Sequence, residues 1–312
     1  MLDLDLSFWG MPGDLALQTR FANSNPNRVI TFIMKVSGRD VAEAILKKLE
    51  KEIKDKNLHP GLAIILANNN HASRIYVNNK IKTAKRIGIL ARLYEFSKSE
   101  YIKVLKTIKS HNKDNSVHGI IVQYPAYEEW NFEELEKNID PKKDVDGFLK
   151  DSPYDGATAL AVWEMLTAFS LIEGFKRTED FLRGKRIVLI GKGKAAGGPT
   201  FKLLTSRGFK IDVVEKETKN PNPIIKRGDV VISATGVKNI VNKGNLKRGS
   251  YVVGVGVGKE VVSGKEKIYG DIKEEDVSKI AKLYCPTIGG IGPLTIVSLL
   301  KNVVESAKKA SQ

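Results

Sequence analysis

From Met34 onward, apolar and polar residues follow two recurring patterns that predict alternating strands and helices. Residues 61–67 and 187–190 are short runs of branched apolar side chains, which are typical of strands buried in a parallel sheet. After Ser37, which can cap a helix, an apolar residue recurs every four positions at Val41, Ile45, Leu49 and Ile53. Strands that alternate with helices predict an α/β fold with parallel sheets and right-handed crossovers.

The same two patterns continue toward the C-terminus. Further strands are predicted over residues 91–96, 117–123, 211–214, 229–236, 251–257 and 268–272. Further helices are predicted over residues 72–87, 99–111, 131–139, 158–172 and 294–307. Residues 286–293 are too rich in glycine for either pattern, so we expect a loop there.

The length of 312 residues suggests two domains with ample core. The long apolar helix predicted over residues 158–172 is expected to lead from one domain into the other. Residues 1–33 differ from the rest, because they show no sustained period and no basic start followed by an apolar segment. We therefore expect them to be an N-terminal extension outside the fold, dispensable for activity, and not a secretory signal.

Lysine and arginine outnumber aspartate and glutamate by 51 to 36, which gives a net charge of +15. This excess favours anionic small ligands, and it raises the alternative of a nucleic-acid-binding protein. The lysines are dispersed among acidic residues without a basic tail, which favours a solvated surface. The single cysteine, Cys285, cannot form an intrachain disulfide, which fits a reducing cytosol. The four histidines show no metal-ligand spacing. No apolar run is long enough to cross a bilayer.

Three glycines follow the predicted strand of residues 187–190 and precede a predicted helix. Gly191, Gly193 and Gly197 let the backbone approach a pyrophosphate, and the N-terminus of the helix points free N–H groups at the charge. The spacing Gly-x-Gly-x-x-x-Gly is one residue longer than the usual dinucleotide fingerprint. On this turn alone, a dinucleotide site and an ordinary tight turn both remain open.

Four polar side chains are candidates for chemistry. Tyr76 and Lys80 lie four residues apart and share one face of a predicted helix, where a partly buried lysine can transfer protons, although such pairs are also common on helix surfaces. Gln123 ends a predicted strand, where it can orient a lysine or cap the strand. Asp146, beside Asp144 in a loop, can grip the guanidine-like edge of a ring or form a turn.

Seven segments, in this order along the chain, carry a resemblance to a known family. They are Tyr76-x-x-x-Lys80, Val122-Gln-Tyr-Pro125, Lys143-Asp-Val-Asp-Gly147, the turn from Gly191 to Pro199, Ser233-Ala-Thr-Gly236, Gly270-Asp271 and Pro286-Thr-Ile-Gly-Gly-Ile-Gly-Pro293. Together they resemble the bifunctional methylenetetrahydrofolate dehydrogenase/methenyltetrahydrofolate cyclohydrolase family. The resemblance extends from Met34 to the last helix, and seven motifs in the family's order make coincidence improbable.

The resemblance implies oxidation of methylene-tetrahydrofolate to methenyl-tetrahydrofolate, followed by hydrolysis to formyl-tetrahydrofolate. These steps belong to one-carbon metabolism, which supports purine and amino-acid biosynthesis. By the same resemblance, Lys80 is the key catalytic residue for ring opening, and Gln123 holds and tunes it. Tyr76 stacks on the folate and Asp146 anchors the pterin. The resemblance also implies that the folate site is lined by Gly289, Gly290 and Pro293.

The expected cofactor-binding residues are Gly191, Lys192, Gly193, Gly197, Lys216, Thr235 and Gly236. Glu215 ends the second strand of the nucleotide domain, and an acid there usually binds the ribose hydroxyls of NAD. Lys192, however, falls where the family carries a phosphate-binding arginine, and Lys216 follows Glu215 directly. Two lysines can neutralise a 2′-phosphate as point charges, so we expect NADP, with NAD as the alternative.

The sequence thus predicts a two-domain α/β enzyme with a catalytic cleft between the domains. A folate-binding domain is expected over residues 34–151, completed by a helix over residues 293–312, and a Rossmann-like nucleotide domain over residues 152–292. The resemblance implies a cytoplasmic homodimer that acts on a small folate, with no metal, nucleic-acid or membrane partner. One alternative is a monofunctional NAD-dependent methylenetetrahydrofolate dehydrogenase. Lys80 and Gln123 argue against it, because hydride transfer needs no proton shuttle of this kind.

Overall fold

A computed structural model of the protein describes residues 33–262 and 264–311. The predicted N-terminal extension therefore lies, up to residue 32, outside the described residues. The described chain divides into two compact units. The first unit comprises residues 33–41 and Ala161–Leu294, and the second comprises Ala42–Leu160 and residues 295–311.

The elements of the described chain are numbered here in chain order. The strands are β1 (Met34–Lys35), β2 (Gly61–Leu66), β3 (Leu90–Glu95), β4 (Gly119–Val122), β5 (Ile187–Ile190), β6 (Ile211–Val214), β7 (Val230–Ser233), β8 (Tyr251–Gly254), β9 (Val257–Val262), β10 (Lys265–Gly270) and β11 (Leu283–Cys285). The helices are α1 (Gly38–Asp55), α2 (His71–Arg86), α3 (Tyr101–Lys113), α4 (Phe132–Lys137), α5 (Ala157–Ile172), α6 (Thr178–Leu182), α7 (Gly197–Ser206), α8 (Pro221–Arg227), α9 (Glu274–Val277) and α10 (Ile291–Ala310).

The second unit is built on a parallel sheet in which β2 lies between β3 and β4. All six residues of β2 are buried, because a central parallel strand is covered on both faces. From β2 the chain moves first to β3 on one side and then to β4 on the other. The carboxyl ends of β2 and β4 therefore flank a switch point of the strand order, where ligands bind in open α/β sheets.

The first unit contains a parallel sheet with the strand order β1-β11-β8-β7-β5-β6 among its described residues. The central strand β5 pairs with β6 on one side and with β7 on the other. This arrangement creates a second switch point, at the carboxyl ends of β5 and β7. Gly191 follows β5 directly, so the glycine turn identified in the sequence lies at this switch point.

A separate two-stranded sheet in the first unit pairs β9 antiparallel with β10. The cross-strand pairs Val257↔Gly270, Lys259↔Ile268 and Val261↔Glu266 share one face of this hairpin. The side chains of Val257, Val261 and Ile268 on that face are 51%, 72% and 55% exposed. The hairpin therefore presents three exposed apolar side chains beside an ion pair of Lys259 with Glu266.

The structure confirms the α/β class and the parallel sheets, and β5 and β6 have the bounds that the sequence predicts. The strand predicted over residues 268–272 is shifted to β10 and is antiparallel, because it pairs with the unpredicted β9. The unpredicted strands β1 and β11 contain only two and three residues. The predicted loop over residues 286–293 ends early, because α10 begins at Ile291.

Candidate functional site

Lys80 lies on the buried face of α2, a helix that follows β2. Asn70 caps this helix, because its side-chain oxygen accepts hydrogen bonds from the backbone N–H groups of Ala72 and Ser73. The buried residues of α2 follow helical spacing and are Ser73, Val77, Lys80 and Ala84. Lys80 is only 4% exposed, although lysine is almost never fully buried without a partner.

Gln123 provides that partner from the carboxyl end of β4. Its backbone N–H donates to the Ile65 carbonyl at 2.8 Å, which fixes the residue beside β2. Lys80 Nζ donates to Gln123 Oε1 at 3.0 Å, and Gln123 Nε2 donates to the Tyr124 carbonyl at 2.8 Å. The second contact orients the amide so that its oxygen faces Lys80.

Tyr76 lies one helical turn before Lys80, as the sequence predicts. Lys80 Nζ is 4.9 Å from the centre of the Tyr76 ring, which is within the range of a cation–π contact. Burial raises the pKa of the Tyr76 hydroxyl, the charge of Asp146 raises it further, and a hydrogen bond with Thr295 acts in the opposite direction. The phenol therefore stays neutral at physiological pH and presents an aromatic face beside the lysine.

The two carboxylates of the loop after α4 have different surroundings. Asp144 is buried and accepts hydrogen bonds from the backbone N–H groups of Gly147 and Leu149, at 3.1 and 2.8 Å. Asn302 of α10 holds the same loop, because its Nδ2 donates to the Val145 carbonyl at 2.8 Å. Asp144 therefore stabilises the loop, and the half-buried Asp146 is the carboxylate left for a ligand.

The charge state of Lys80 depends on opposing influences within the second unit. Burial lowers the pKa of the Lys80 ammonium, and the negative charge of Asp146 acts in the opposite direction. Burial also raises the pKa of the Asp146 carboxyl, which the charge of Lys80 opposes. A lysine with a lowered pKa has more neutral amine at physiological pH, so it can accept a proton and return it.

In the first unit, the turn after β5 leaves no room for a side chain at Gly191 or Gly197. Gly191 has a φ of +83°, and a Cβ there would lie 2.7 Å from Thr235 Cγ2 and 2.8 Å from the Ala234 oxygen. A Cβ on Gly197 would lie 2.0 Å from the Gly191 oxygen, so α7 starts directly against the turn. Gly193, by contrast, has open space around it. These close approaches suit a backbone that meets a pyrophosphate.

The residues expected to discriminate NADP from NAD are exposed. Lys192 lies in the turn, with its Nζ 3.9 Å from the centre of the Phe201 ring. Glu215 and Lys216 follow β6 directly, and both are exposed. The lysines are therefore accessible to a phosphate group, and Glu215 is accessible to a ribose.

Thr235 and Gly236 follow β7 at the same switch point as Gly191. Gly236 has a φ of +75°, so the chain turns sharply there. Thr235 donates its backbone N–H to Asp271 Oδ2 at 2.8 Å, and its side-chain oxygen accepts from the Val237 N–H at 3.0 Å. The turn is therefore held by contacts on both sides.

The backbone geometry at Gly289 and Gly290 itself favours glycine. Gly289 has a φ of +75°, and a Cβ on Gly290 would lie 1.8 Å from the Pro286 oxygen. Pro293 is in the first turn of α10, where proline is tolerated because its missing N–H has no helical partner. These residues shape the backbone whether or not they contact a folate.

The structure brings Tyr76, Lys80 and Gln123 together in the second unit, with Asp146 acting on Tyr76 and Lys80 through its charge. It brings the Gly191–Gly197 turn and the Thr235–Gly236 turn together in the first unit. Three residues that hold these groups had no role predicted from the sequence, namely Thr295, Asn302 and Asp271. Asp271 belongs to one of the seven motifs, which was the one available signal.

Two further observations concern the described chain as a whole. Within residues 33–262 and 264–311, no cluster of three or more His, Cys, Asp or Glu side chains is placed to hold a metal ion. None of the helices in the same residues has the length and apolar character needed to span a membrane.

Comparison with sequence models of known families gives two matches, which together cover most of the chain. Residues 36–146 match the catalytic domain of tetrahydrofolate dehydrogenase/cyclohydrolase. Residues 161–311 match the NAD(P)-binding domain of the same family. A protein of Macrococcus caseolyticus named bifunctional protein FolD is 33% identical over 281 residues, which is 89% of this chain and 98% of the relative.

Solved structures give the same similarity. The bifunctional methylenetetrahydrofolate dehydrogenase/cyclohydrolase FolD of Campylobacter jejuni is 31% identical with a TM-score of 0.79, and the match covers 89% of this chain and 99% of that one. The methylenetetrahydrofolate dehydrogenase-cyclohydrolase of Trypanosoma brucei, complexed with NADP and an inhibitor, is 27% identical with a TM-score of 0.81. That match covers 90% of this chain and 99% of the other.

Proposed function

Because this chain belongs to the tetrahydrofolate dehydrogenase/cyclohydrolase family, and is therefore a methylenetetrahydrofolate dehydrogenase and methenyltetrahydrofolate cyclohydrolase, we propose that Lys80 carries the hydrolytic step. The observation that supports this assignment is the hydrogen bond of 3.0 Å between the buried Lys80 Nζ and the neutral Gln123 amide. A monofunctional NAD-dependent dehydrogenase is not favoured, because the similar proteins from Macrococcus and Campylobacter are named bifunctional.

In the hydrolytic step, water attacks the methenyl carbon and must lose a proton. The neutral amine of Lys80 accepts that proton, and the new C–O bond forms as the positive charge of the substrate disappears. The resulting ammonium then gives a proton to the ring nitrogen as its bond to the one-carbon unit breaks, and the hydroxyl of the adduct loses its own proton to solvent as the formyl C=O forms. One side chain thus takes and returns one proton, and formyl-tetrahydrofolate is released.

Gln123, Tyr76 and Asp146 act around this lysine. Gln123 accepts a hydrogen bond from Lys80 without adding a negative charge, so it holds the amine in place and does not fix it as an ammonium. Tyr76 offers its aromatic face to the folate, and Asp146 offers a carboxylate to the pterin edge by paired hydrogen bonds. Gly289, Gly290 and Pro293 are proposed to line the same substrate. The folate-binding domain is proposed to be residues 34–151 with residues 293–312.

The dehydrogenase step needs a nicotinamide dinucleotide, which when bound accepts a hydride from the methylene carbon. The turn of Gly191, Gly193 and Gly197 is proposed to bind the pyrophosphate of the dinucleotide. These three residues carry no side chain, and the turn leads into the start of α7. The turn at Thr235 and Gly236 is proposed to contact the same ligand from the end of β7. The nucleotide domain is proposed to be residues 152–292.

We assign NADP as the cofactor of this chain. The similar enzyme of Trypanosoma brucei is complexed with NADP. Lys192 and Lys216 are exposed and can neutralise the 2′-phosphate, whereas the adjacent Glu215 is the residue that favours NAD. Two positive charges against one negative charge support NADP.

The chain is further proposed to be a cytoplasmic homodimer. The exposed side chains of Val257, Val261 and Ile268 on one face of the β9–β10 hairpin support a second copy of the chain as its partner. The unpaired outer edge of such a hairpin also suits pairing with an identical strand around a two-fold axis. The single buried Cys285 and the absence of an intrachain disulfide suit a reducing cytoplasm.

The test of the proposed function is Lys80→Met, assayed for the two activities separately. Because a positioned acid–base group contributes about 10²–10⁴-fold, we expect the hydrolysis of methenyl-tetrahydrofolate to fall by about that factor. Hydride transfer depends chiefly on positioning, so some dehydrogenase activity survives and methenyl-tetrahydrofolate accumulates. The measurement is the absorbance of the methenyl compound over time, starting from either substrate.

Lys82→Met is the matched control, because Lys82 is exposed on the same helix, two residues further on. It should leave both rates close to those of the wild type. Unchanged hydrolysis in Lys80→Met would remove Lys80 from the mechanism and with it the proposed site. Equal loss of both activities would show that Lys80 serves the substrate and not the proton transfers.

A further inference from the structure

Asp271 is a fully buried carboxylate in the first unit, at 0% exposure. It follows β10, and its main chain is fixed on both sides. Its N–H donates to the Gly256 carbonyl at 3.1 Å, and its carbonyl accepts from the Val241 N–H at 3.1 Å. Burial of a carboxylate costs free energy unless its oxygens accept hydrogen bonds, so the donors that contact this side chain explain why it is tolerated.

Those contacts go to the turn that follows β7. Asp271 Oδ2 accepts from Ser233 Oγ at 2.8 Å and from the Thr235 N–H at 2.8 Å. Ser233 is the last residue of β7, and it is also fully buried. One carboxylate oxygen therefore joins the end of the strand to the first residues of the turn.

The same turn lies directly against the glycine turn after β5. The backbone oxygen of Ala234 and the methyl group of Thr235 would lie within 2.8 Å of a Cβ on Gly191. Because Ala234 and Thr235 leave no room for a side chain at Gly191, a displacement of Thr235 changes the surface that faces the switch point. The position of the glycine turn thus depends on the turn that Asp271 holds.

The space around the carboxylate is closed on its other side by Gly256. A Cβ there would lie 2.3 Å from Asp271 Oδ2 and 2.4 Å from the Gly236 nitrogen. Any side chain at position 256 would therefore clash with the Asp271 carboxylate and with the backbone amide of Gly236. Asp271 Oδ1 has no hydrogen-bond partner among the described residues.

We propose that Asp271 is a positioning residue for the nicotinamide cofactor, because its carboxylate fixes the Ser233–Gly236 turn against Gly191. The proposal rests on the proposed function, since it takes the carboxyl ends of β5 and β7 as the cofactor site. Asp271 itself does not touch the cofactor. Its loss leaves the Ser233 hydroxyl and the Thr235 N–H without an acceptor, and the turn moves to find one.

The test is Asp271→Asn in the full chain, with the Kd for NADP measured by calorimetry. The asparagine amide keeps the shape and one acceptor oxygen, but it removes the negative charge and puts an NH2 donor where Oδ1 has no partner, so it holds the two donors less strongly. We expect the Kd for NADP to rise roughly 10- to 100-fold, the loss that removal of charged hydrogen bonds implies. Hydrolysis of methenyl-tetrahydrofolate without any dinucleotide should stay within about twofold of the wild-type rate.

Two further variants make the result specific. Asp276→Asn is the matched control, because Asp276 is another buried aspartate of the first unit that accepts from a backbone N–H, that of Lys243 at 3.3 Å. It should leave the Kd for NADP unchanged. Ser233→Ala removes only one of the two donors, so it should raise the Kd less than Asp271→Asn does.

A wild-type Kd for NADP in Asp271→Asn would overturn the proposal. Equal losses of NADP binding and of hydrolysis would also overturn it, because they indicate a general structural role. If Asp271→Asn does not fold, an unchanged Kd in Ser233→Ala overturns the proposal and a raised Kd supports it. Failure of the proposed cofactor site itself is recognised differently, by a Gly191→Val variant that binds NADP as tightly as the wild type.

Discussion

Replacement of Gln123 by glutamate tests whether the neutral form of Lys80 is the form that works. The substitution puts a negative charge where the amide oxygen now accepts a hydrogen bond from Lys80 Nζ at 3.0 Å. A carboxylate stabilises the ammonium, so it raises the pKa of Lys80, which burial now lowers. Less neutral amine is then present at any pH below the new pKa.

The size of the effect follows from the distance. At 3.0 Å and an effective dielectric constant of about 20, Coulomb's law gives about 5 kcal/mol, or roughly four pKa units. Two effects make the shift in the pKa of Lys80 smaller than this. The new carboxylate must itself be buried, and its second oxygen faces the Tyr124 carbonyl, to which the amide now donates at 2.8 Å. We therefore expect the pKa of Lys80 to rise by about 1–3 units.

The assay is the pH dependence of methenyl-tetrahydrofolate hydrolysis, with the uncatalysed rate subtracted at each pH. In Gln123→Glu the rise of kcat/KM with pH should shift upward by about 1–3 units, which lowers the rate about 10- to 1000-fold at pH values below the new midpoint. The rate should recover at alkaline pH. Gln123→Met is the control, because it removes both hydrogen bonds without adding charge, and it should lower the rate without an upward shift.

The same pH midpoint in the glutamate variant, the methionine variant and the wild type would refute this reasoning. It would mean that the group whose titration limits hydrolysis is not Lys80. A downward shift in Gln123→Glu would refute it as well, because a carboxylate cannot favour the neutral amine. In the dehydrogenase assay the glutamate variant should show a smaller loss, since hydride transfer depends on positioning.

Two other predictions concern the cofactor and the assembly. Lys192→Ala should raise the KM for NADP by about tenfold and leave the KM for NAD nearly unchanged. Lys202→Ala is the control, because Lys202 is also exposed, and it should change neither KM. Equal effects on both dinucleotides would reject Lys192 as the phosphate-binding residue. Val261→Lys should convert the proposed dimer to a monomer, as measured by light scattering. Ile102→Lys, at a similarly exposed position of the second unit, should not. A wild-type protein that is monomeric at micromolar concentration would contradict the proposed dimer.

The parts of the fold that the sequence predicts well are those with both faces buried. β2 and β5 are continuous apolar runs because they are central strands, and such runs stand out from the residues around them. The hairpin of β9 and β10 was not predicted as a pair, because its side chains alternate between exposed and half-buried positions and include charged residues. β11 contains three residues, which is too short for any period to be visible.

The sequence suggests the residues of the proposed site but not the residues that hold them in place. The family resemblance implied that Gln123 holds Lys80, and in the structure Lys80 Nζ donates to Gln123 Oε1 at 3.0 Å. Residue spacing alone could not separate the roles of Asp144 and Asp146, since both flank the same valine, and only the family resemblance assigned Asp146 to the pterin. The difference comes from the backbone N–H groups that Asp144 binds and from Asn302, which lies 157 residues after Val145.

The charge of the substrate gives a physical reason for one lysine to serve both proton transfers. Methenyl-tetrahydrofolate is a cation, and a positive charge near Lys80 disfavours the ammonium, as burial already does. The amine is therefore most often neutral, and so able to accept a proton, while the cation is bound. Once water has added, the positive charge of the substrate is gone, and the charge of Asp146 opposes the effect of burial, which favours the ammonium that the departing nitrogen needs. The product of the dehydrogenase step thus sets the charge state of Lys80 that the hydrolytic step requires.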